Sequence, residues 1–409
     1  MIKFLEKKKF ITLSVICLFG IMFQLIILLF VLPNKSLLSW HDPKHYYSIA
    51  IELSEGLPYS TKLSYDNLLR SPGYPYYLFL LIKIIGKNVL YLRIFHIVLF
   101  PLIILEIYYI AVSIGGFKVG VFSSVLATIH PYFLYIPLTL YSETVLLFLY
   151  PLIILLTILV KKKNLFIYWV LLALFFVASV FVRPTSVGFI VFIFLYLCIN
   201  EKNNINLKKC IVLFVLLPFS VVNLWMYRNY CVHGTYLFTT TIYENILMSF
   251  NEDSIIRSLN EPLDPYLEKN LNNSANLSER NEIILRTAKN FIYNNPIKAT
   301  YLCLMRILYY WSPIIETNTK TGEGRLAYKI IIGFYSLPLT VFGFVGLYRL
   351  RKIKIFKLFI YILVIGTLIT APFMVSARYR LVYDFLLIIS LANALFLKDK
   401  HDKETPNDK

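Results

Sequence analysis

A carboxylate and a set of arginines gathered at the ends of apolar runs can do two pieces of chemistry. The carboxylate can take a proton from a hydroxyl, and the guanidiniums can hold an anion. Asp42 stands in Trp40-His41-Asp42-Pro43-Lys44-His45-Tyr46-Tyr47, and Arg70 opens Arg70-Ser71-Pro72-Gly73-Tyr74-Pro75. Further along come Glu143 in Tyr141-Ser142-Glu143, Arg183 in Arg183-Pro184-Thr185, Arg228 in Trp225-Met226-Tyr227-Arg228-Asn229, and both arginines of Arg378-Tyr379-Arg380-Leu381. A positioned base accelerates attack by a hydroxyl by about 10²–10⁴-fold. A planar guanidinium matches the paired oxygens of a phosphate or carboxylate. Together these residue types suit base-assisted attack on a centre whose leaving group is an anion.

Each residue also has a structural reading. Asp42, followed by Pro43, could cap a helix. Arg183, Arg228 and Arg378 lie at helix ends, where long basic side chains reach for the membrane interface. Glu143 sits at a membrane boundary and could pair with a neighbour. His41 and His45 are four residues apart and flank Asp42, a spacing that could hold a metal. Two residues alone do not make a ligand set, so no metal is assigned and a divalent ion stays open. His96 lies inside an apolar run and reads as packed. His130, at a helix end, is open to either reading.

The elements that must position these residues are membrane helices. Of the 409 residues, 58% are hydrophobic and 16% charged, against about 45–50% apolar and about 25% charged in soluble domains. The net charge of +18 is concentrated in short segments between apolar runs, the pattern of cytoplasmic loops rather than of a nucleic-acid-binding face. Apolar segments recur at 10–32, 89–112, 119–135, 138–160, 165–181, 184–199, 210–226, 328–348, 358–375 and 382–397. An apolar helix of about 20 residues spans a bilayer core, and the expectation is an all-α polytopic protein of ten transmembrane helices. Met1 to Lys9 followed by an uninterrupted apolar run reads as a signal anchor with its N-terminus in the cytoplasm. Every second connection is then basic: Lys118, Lys161-Lys162-Lys163, Lys202 with Lys208 and Lys209, and Arg349 to Lys357.

The opposite side carries two long segments, 33–87 and 227–327. In the first, Tyr74 to Gly86 is apolar but too short to span, and reads as an interfacial or re-entrant helix. In the second, Leu277 to Tyr310 has the spacing of surface helices. Residues 1–397 form one transmembrane domain in this reading, and 398–409 a polar cytoplasmic tail. Cys231 and Cys303 could pair only if their Cα atoms come within about 7 Å.

The ordered motifs resemble a known family. An acid soon after the first helix, then Arg-x-Pro-Gly-Tyr-Pro, Pro131 with Ser142-Glu143, Arg183-Pro184, Trp225-x-x-Arg228-Asn229 and Arg378-Tyr379-x-Leu381, is similar to the GT-C class of membrane glycosyltransferases. Within it, the protein mannosyltransferase and lipid A aminoarabinose transferase group (glycosyltransferase family 39-like) is the nearest. The resemblance spans residues 40–381. It implies an inverting glycosyltransferase that takes a sugar from a polyprenyl-phosphate donor to a glycan, lipid or protein acceptor. Catalysis would sit on the extracytoplasmic face, with a bacterial inner or plasma membrane as the expected home. Asp42 would be the general base. Arg378, with Tyr379 and Arg380, would hold the lipid phosphate. Glu143 is added as a second acid, and Arg70, Arg183 and Arg228 as phosphate or sugar ligands. The chain departs from many relatives in having Pro43 where they carry a second acid.

No Gly-x-Gly-x-x-Gly follows a strand, and Gly115-Gly116-Phe117-Lys118-Val119-Gly120 lacks the Gly-Lys-Ser/Thr of a phosphate-binding loop. A donor delivered through lipid fits this chain better than a nucleotide sugar. The competing readings are a polysaccharide or lipid transporter or polymerase, and a non-catalytic glycosyltransferase-like subunit. A transporter calls for midplane charges and paired broken helices; here the charges gather at the outer ends of helices.

Overall fold

A computed structural model describes residues 2–31, 41–59, 68–199, 212–252, 254, 265–274, 276–312, 322–373 and 378–396. The tail at 398–409 and parts of both long loops lie outside these. In the described residues every regular element is a helix. The first half contains α1 (Ile2–Ile26), α2 (His41–Ser54), α3 (Gly73–Ile85), α4 (Val89–Gly115), α5 (Phe117–Thr128), α6 (Pro131–Tyr135), α7 (Glu143–Lys163), α8 (Phe166–Val182) and α9 (Ser186–Ile199). The second contains α10 (Leu217–His233), α11 (Thr241–Ser249), α12 (Pro265–Asn272), α13 (Leu277–Asn294), α14 (Pro296–Tyr310), α15 (Gly322–Leu350), α16 (Lys354–Thr370), α17 (Arg378–Leu381) and α18 (Asp384–Phe396).

The described residues of all ten apolar segments lie mostly in helices, which makes this an all-α integral membrane protein. The count of ten spans is not established. Among the described residues five helices are long and apolar enough to cross: Lys9–Phe30, Val89–Gly115, Glu143–Lys163, Val212–His233 and Ile330–Leu350. The bent pair Phe117–Thr128 and Pro131–Thr139, at 59°, makes a sixth if it is one span. Other apolar segments fold as shorter helices. The 13 residues of α3 and of α18 reach only about 20 Å at 1.5 Å per residue, short of the roughly 30 Å core.

Local sequence explains the breaks. Asn88 caps α4 by accepting from the Leu90 amide, and Gly116 ends it at φ +86°, a conformation open to glycine. His130 caps α6, with Pro131 in its first turn. Leu140 is left-handed at φ +53°, and this reversal starts α7 with Glu143 in its first turn. At the far end of α7 lie Lys161, Lys162 and Lys163, about 30 Å away. Outside the spans, Asn276 caps α13 by accepting from the Glu279 amide. Cys231 and Cys303 are both free thiols.

Close packing sets the helix register. A Cβ on Gly346 would lie 2.6 Å from the Ser390 carbonyl oxygen, and one on Gly343 2.7 Å from the Leu387 Cβ. Small residues thus let α15 and α18 meet backbone to backbone. Gly73 does the same for the site: its Cβ would lie 2.5 Å from the Phe181 carbonyl carbon and the Val182 nitrogen. That contact seats the start of α3, just after Arg70, on the end of α8, just before Arg183. Gly73→Ala is therefore expected to cost about 1–3 kcal/mol and to push the two arginines apart. Thermal unfolding of the detergent-solubilised chain checks this, and an unchanged midpoint would show that α3 does not need the contact.

Candidate functional site

Four elements and one loop bring the site together at the end of α7 opposite its lysines. Asp42 lies in the first turn of α2, where an acid is favoured by the helix dipole. Both its carboxylate oxygens are taken by arginines. Arg70 Nη2 donates to Oδ1 at 2.6 Å, and Arg378 Nη2 donates to Oδ2. The carboxylate thus belongs to an ion-pair network.

Glu143 is the second node. Arg183 Nη2 donates to its Oε1 at 3.2 Å, and Arg378 Nε lies 3.3 Å from the same oxygen. Arg378 thus bridges the two acids. Aromatic rings wall the guanidiniums. Arg183 stacks 4.1 Å from the Tyr379 ring centroid and Arg378 4.4 Å from that of Tyr141. The Tyr379 hydroxyl accepts from Arg378 at 2.9 Å, and Arg70 lies 5.2 Å from the Tyr46 ring. Such cation–π contacts gain strength where water is excluded.

Among the described residues three guanidiniums face two carboxylates in the cluster. The Glu143 side chain is 1% exposed and the other four groups lie between 12% and 23%. Burial by itself would push the Asp42 carboxyl up, but Arg378 and Arg70 outweigh it and hold the group well below the usual carboxylate range.

Two sequence candidates fall elsewhere. Arg228 does not reach the carboxylates: it donates to the Tyr59 carbonyl and to Asn229 Oδ1 and stacks on Trp225. Its effect is indirect, because the Tyr59 hydroxyl donates to the Arg70 carbonyl at 2.6 Å. The Leu68–Arg70 stretch is gripped from the other side by Thr239, which donates to the Leu68 and Leu69 carbonyls, and by Thr241, which donates to that of Leu69. Arg380 is also separate. It is fully buried and turned inward, donating to the Thr340 hydroxyl at 3.1 Å and lying 3.7 Å from Asp384.

Among the described residues nothing gathers the ligands of a divalent metal. His45 Nδ1 accepts from Arg70 Nε at 3.3 Å, and both acids are engaged by arginines. The His41 side chain lies outside the described residues. Among the described residues no group of three His, Cys, Asp or Glu side chains converges.

Sequence reasoning missed Tyr46, Tyr141 and Asp384. An acid inside an apolar run is itself a signal, and Asp384 carried it. His96 is packed, with Nδ1 2.7 Å from the Pro137 carbonyl.

Because Glu143 is deeply buried and holds two arginines, Glu143→Gln should destabilise by about 3–5 kcal/mol. Asp42→Asn, at a wetter position, should cost less. Unfolding of both variants at pH 7 gives the order, and a larger loss at Asp42 would contradict this picture of the network.

Residues 70–225 match the dolichyl-phosphate-mannose-protein mannosyltransferase family. That segment contains Arg70, Glu143 and Arg183, while Asp42 and Arg378 are brought to it from outside by the fold. No curated protein sequence matches. Among solved structures, the apo oligosaccharyltransferase of Archaeoglobus fulgidus aligns at TM-score 0.51 and 14% identity, over 94% of this chain and 50% of that one. The oligosaccharyltransferase AglB of the same organism, in complex with an inhibitory peptide and a dolichol-phosphate, aligns at 0.50 and 14%, over 96% and 50%. The chain thus spans about half the length of these proteins, and at this identity the likeness is one of fold. Family match and fold agree: this is an integral membrane chain with a GT-C-like fold, and its 70–225 segment matches the dolichyl-phosphate-mannose-protein mannosyltransferases.

Proposed function

We propose that the chain is an inverting glycosyltransferase that moves a sugar from a polyprenyl-phosphate donor to a glycan, lipid or protein acceptor. The observation that carries this is the convergence of Arg70, Arg183 and Arg378 on Asp42 and Glu143, a set of guanidiniums that suits the phosphate of a lipid-linked sugar. The dolichol-phosphate named with the archaeal relative supports the same class of donor. The cluster lies opposite Lys161, Lys162 and Lys163, and basic residues favour the cytoplasmic side. The reading therefore puts transfer on the extracytoplasmic face, in a bacterial inner or plasma membrane.

In this reading the resting site is self-inhibited. With both oxygens bound by arginines, Asp42 is a poor base. The donor phosphate competes for Arg378 and Arg70 and draws them away. An Asp42 oxygen is then free, and its proton affinity rises toward that of an ordinary carboxylate. The acceptor hydroxyl gives its proton to Asp42 as its oxygen bonds to the anomeric carbon. The bond from that carbon to the phosphate oxygen breaks on the opposite face, and its electron pair leaves with the polyprenyl phosphate. Arg378 and Arg183 stabilise the charge that develops there. Glu143 keeps both guanidiniums in place, and Tyr379 walls them.

The test is transfer of labelled sugar from polyprenyl-phosphate donors in proteoliposomes. Asp42→Asn should lower kcat by about 10²–10⁴-fold with the protein still folded. Undiminished transfer by that variant would remove Asp42 as base. Absence of transfer by the wild type from every donor would favour a non-catalytic subunit or a transporter.

The pH profile gives a sharper check. In the free enzyme the Asp42 carboxyl is held low, so the acid limb of kcat/KM should lie below the ordinary aspartate value of about 3.9. In the donor complex the arginines have moved to phosphate, so the limb of kcat should lie at higher pH. Coincident limbs would rule out release of the base by the donor.

A further inference from the structure

Behind the site lies a second polar cluster to which the reaction above assigns no part. His130 is fully buried. Its Nδ1 accepts from the backbone amides of Tyr132 at 3.2 Å and Phe133 at 3.4 Å. That leaves Nε2 to carry the hydrogen, which it donates to Asp384 Oδ2 at 3.2 Å. The ring is stacked on Phe133 at 4.2 Å and meets Tyr335 edge-on at 4.8 Å. Two residues along α6, the Tyr132 hydroxyl donates to the main-chain carbonyl of Arg378 at 3.1 Å. One short helix therefore grips the 378–384 turn at both ends.

Stability does not explain this arrangement. A buried ion-pair network is often no more stable than well-packed apolar residues. Moreover, Asp384 Oδ1 and Arg380 Nε have no hydrogen-bond partner among the described residues. Each such orphan costs about 1–3 kcal/mol. What the cluster delivers is placement. The turn it grips carries Arg378, whose guanidinium bridges Asp42 and Glu143 across the site.

We propose that His130 and Tyr132 on α6, with Asp384 as the anchor they hold, form a two-point clamp that aims Arg378 at the donor phosphate. They are positioning residues that act through the Arg378 backbone and touch no substrate. The inference rests on reading Arg378 as a phosphate ligand, but the clamp has a readout of its own.

Tyr132→Phe removes one hydroxyl and leaves the ring. Asp384→Asn keeps shape and removes the charge. In the full chain in lipid, both should speed hydrogen exchange of the 378–384 amides while leaving that of α4 unchanged. In the transfer assay, Tyr132→Phe should raise the donor KM by about 2–10-fold, the loss of one hydrogen bond, with the acceptor KM unmoved. In an Arg378→Ala background the same substitution should add nothing to the defect. Unchanged exchange at 378–384 in Tyr132→Phe would overturn the clamp, as would an equal KM penalty with and without Arg378. If the wild type transfers no sugar, the function proposed above fails and exchange alone decides. Faster exchange confined to 378–384 then keeps the clamp, and unaltered exchange removes it.

Discussion

Arg378 lies between two carboxylates that are 101 positions apart in sequence, and it is the contact on which the architecture of the site depends. A buried guanidinium needs compensation, or its desolvation cost would open the bundle. Asp42 and Glu143 supply it, and in doing so tie α2, the start of α7 and α17 into one unit. Arg183 and Arg70 join from the end of α8 and from the stretch before α3. The aromatic walls follow from the same need. Tyr46, Tyr141 and Tyr379 wall the three guanidiniums, and charges shielded from water interact more strongly.

Much of this was legible in the sequence, for physical reasons. Hydropathy located the helical segments because lipid demands long apolar runs with internally satisfied backbones. It did not locate their lengths. The 13 residues of α3 and of α18 are fixed by Pro72, by Gly86 and by the Arg378–Leu381 turn, all of which act through local geometry that hydropathy does not report. The bend between α5 and α6 has the same character, because His130 and Pro131 together open a new helix.

At the site, Asp42, Arg70, Glu143, Arg183 and Arg378 were named from motifs and converge in space. Arg380 was named too and does not. Residues two apart on a helical turn face different ways, so placing Arg378 on Asp42 turns Arg380 toward Thr340 and Asp384. Arg228 was expected as a phosphate or sugar ligand, and its guanidinium donates to the Tyr59 carbonyl. The pairing of His130 with Asp384 links residues 254 positions apart, a closeness only the folded chain creates.

The grip of Thr239 and Thr241 on the Leu68 and Leu69 carbonyls has a thermodynamic consequence. Arg70 belongs to no long helix, so its place depends on the outer segment that begins with α11. Whatever occupies or displaces that segment acts on the arginine through a few main-chain hydrogen bonds. Linkage makes such coupling mutual: under the proposed function, an occupant of the outer segment that shifts Arg70 alters donor affinity by the same factor by which the donor alters affinity outside. The stretch before α3 and the segment around α11 are therefore tied through the main chain that carries Arg70.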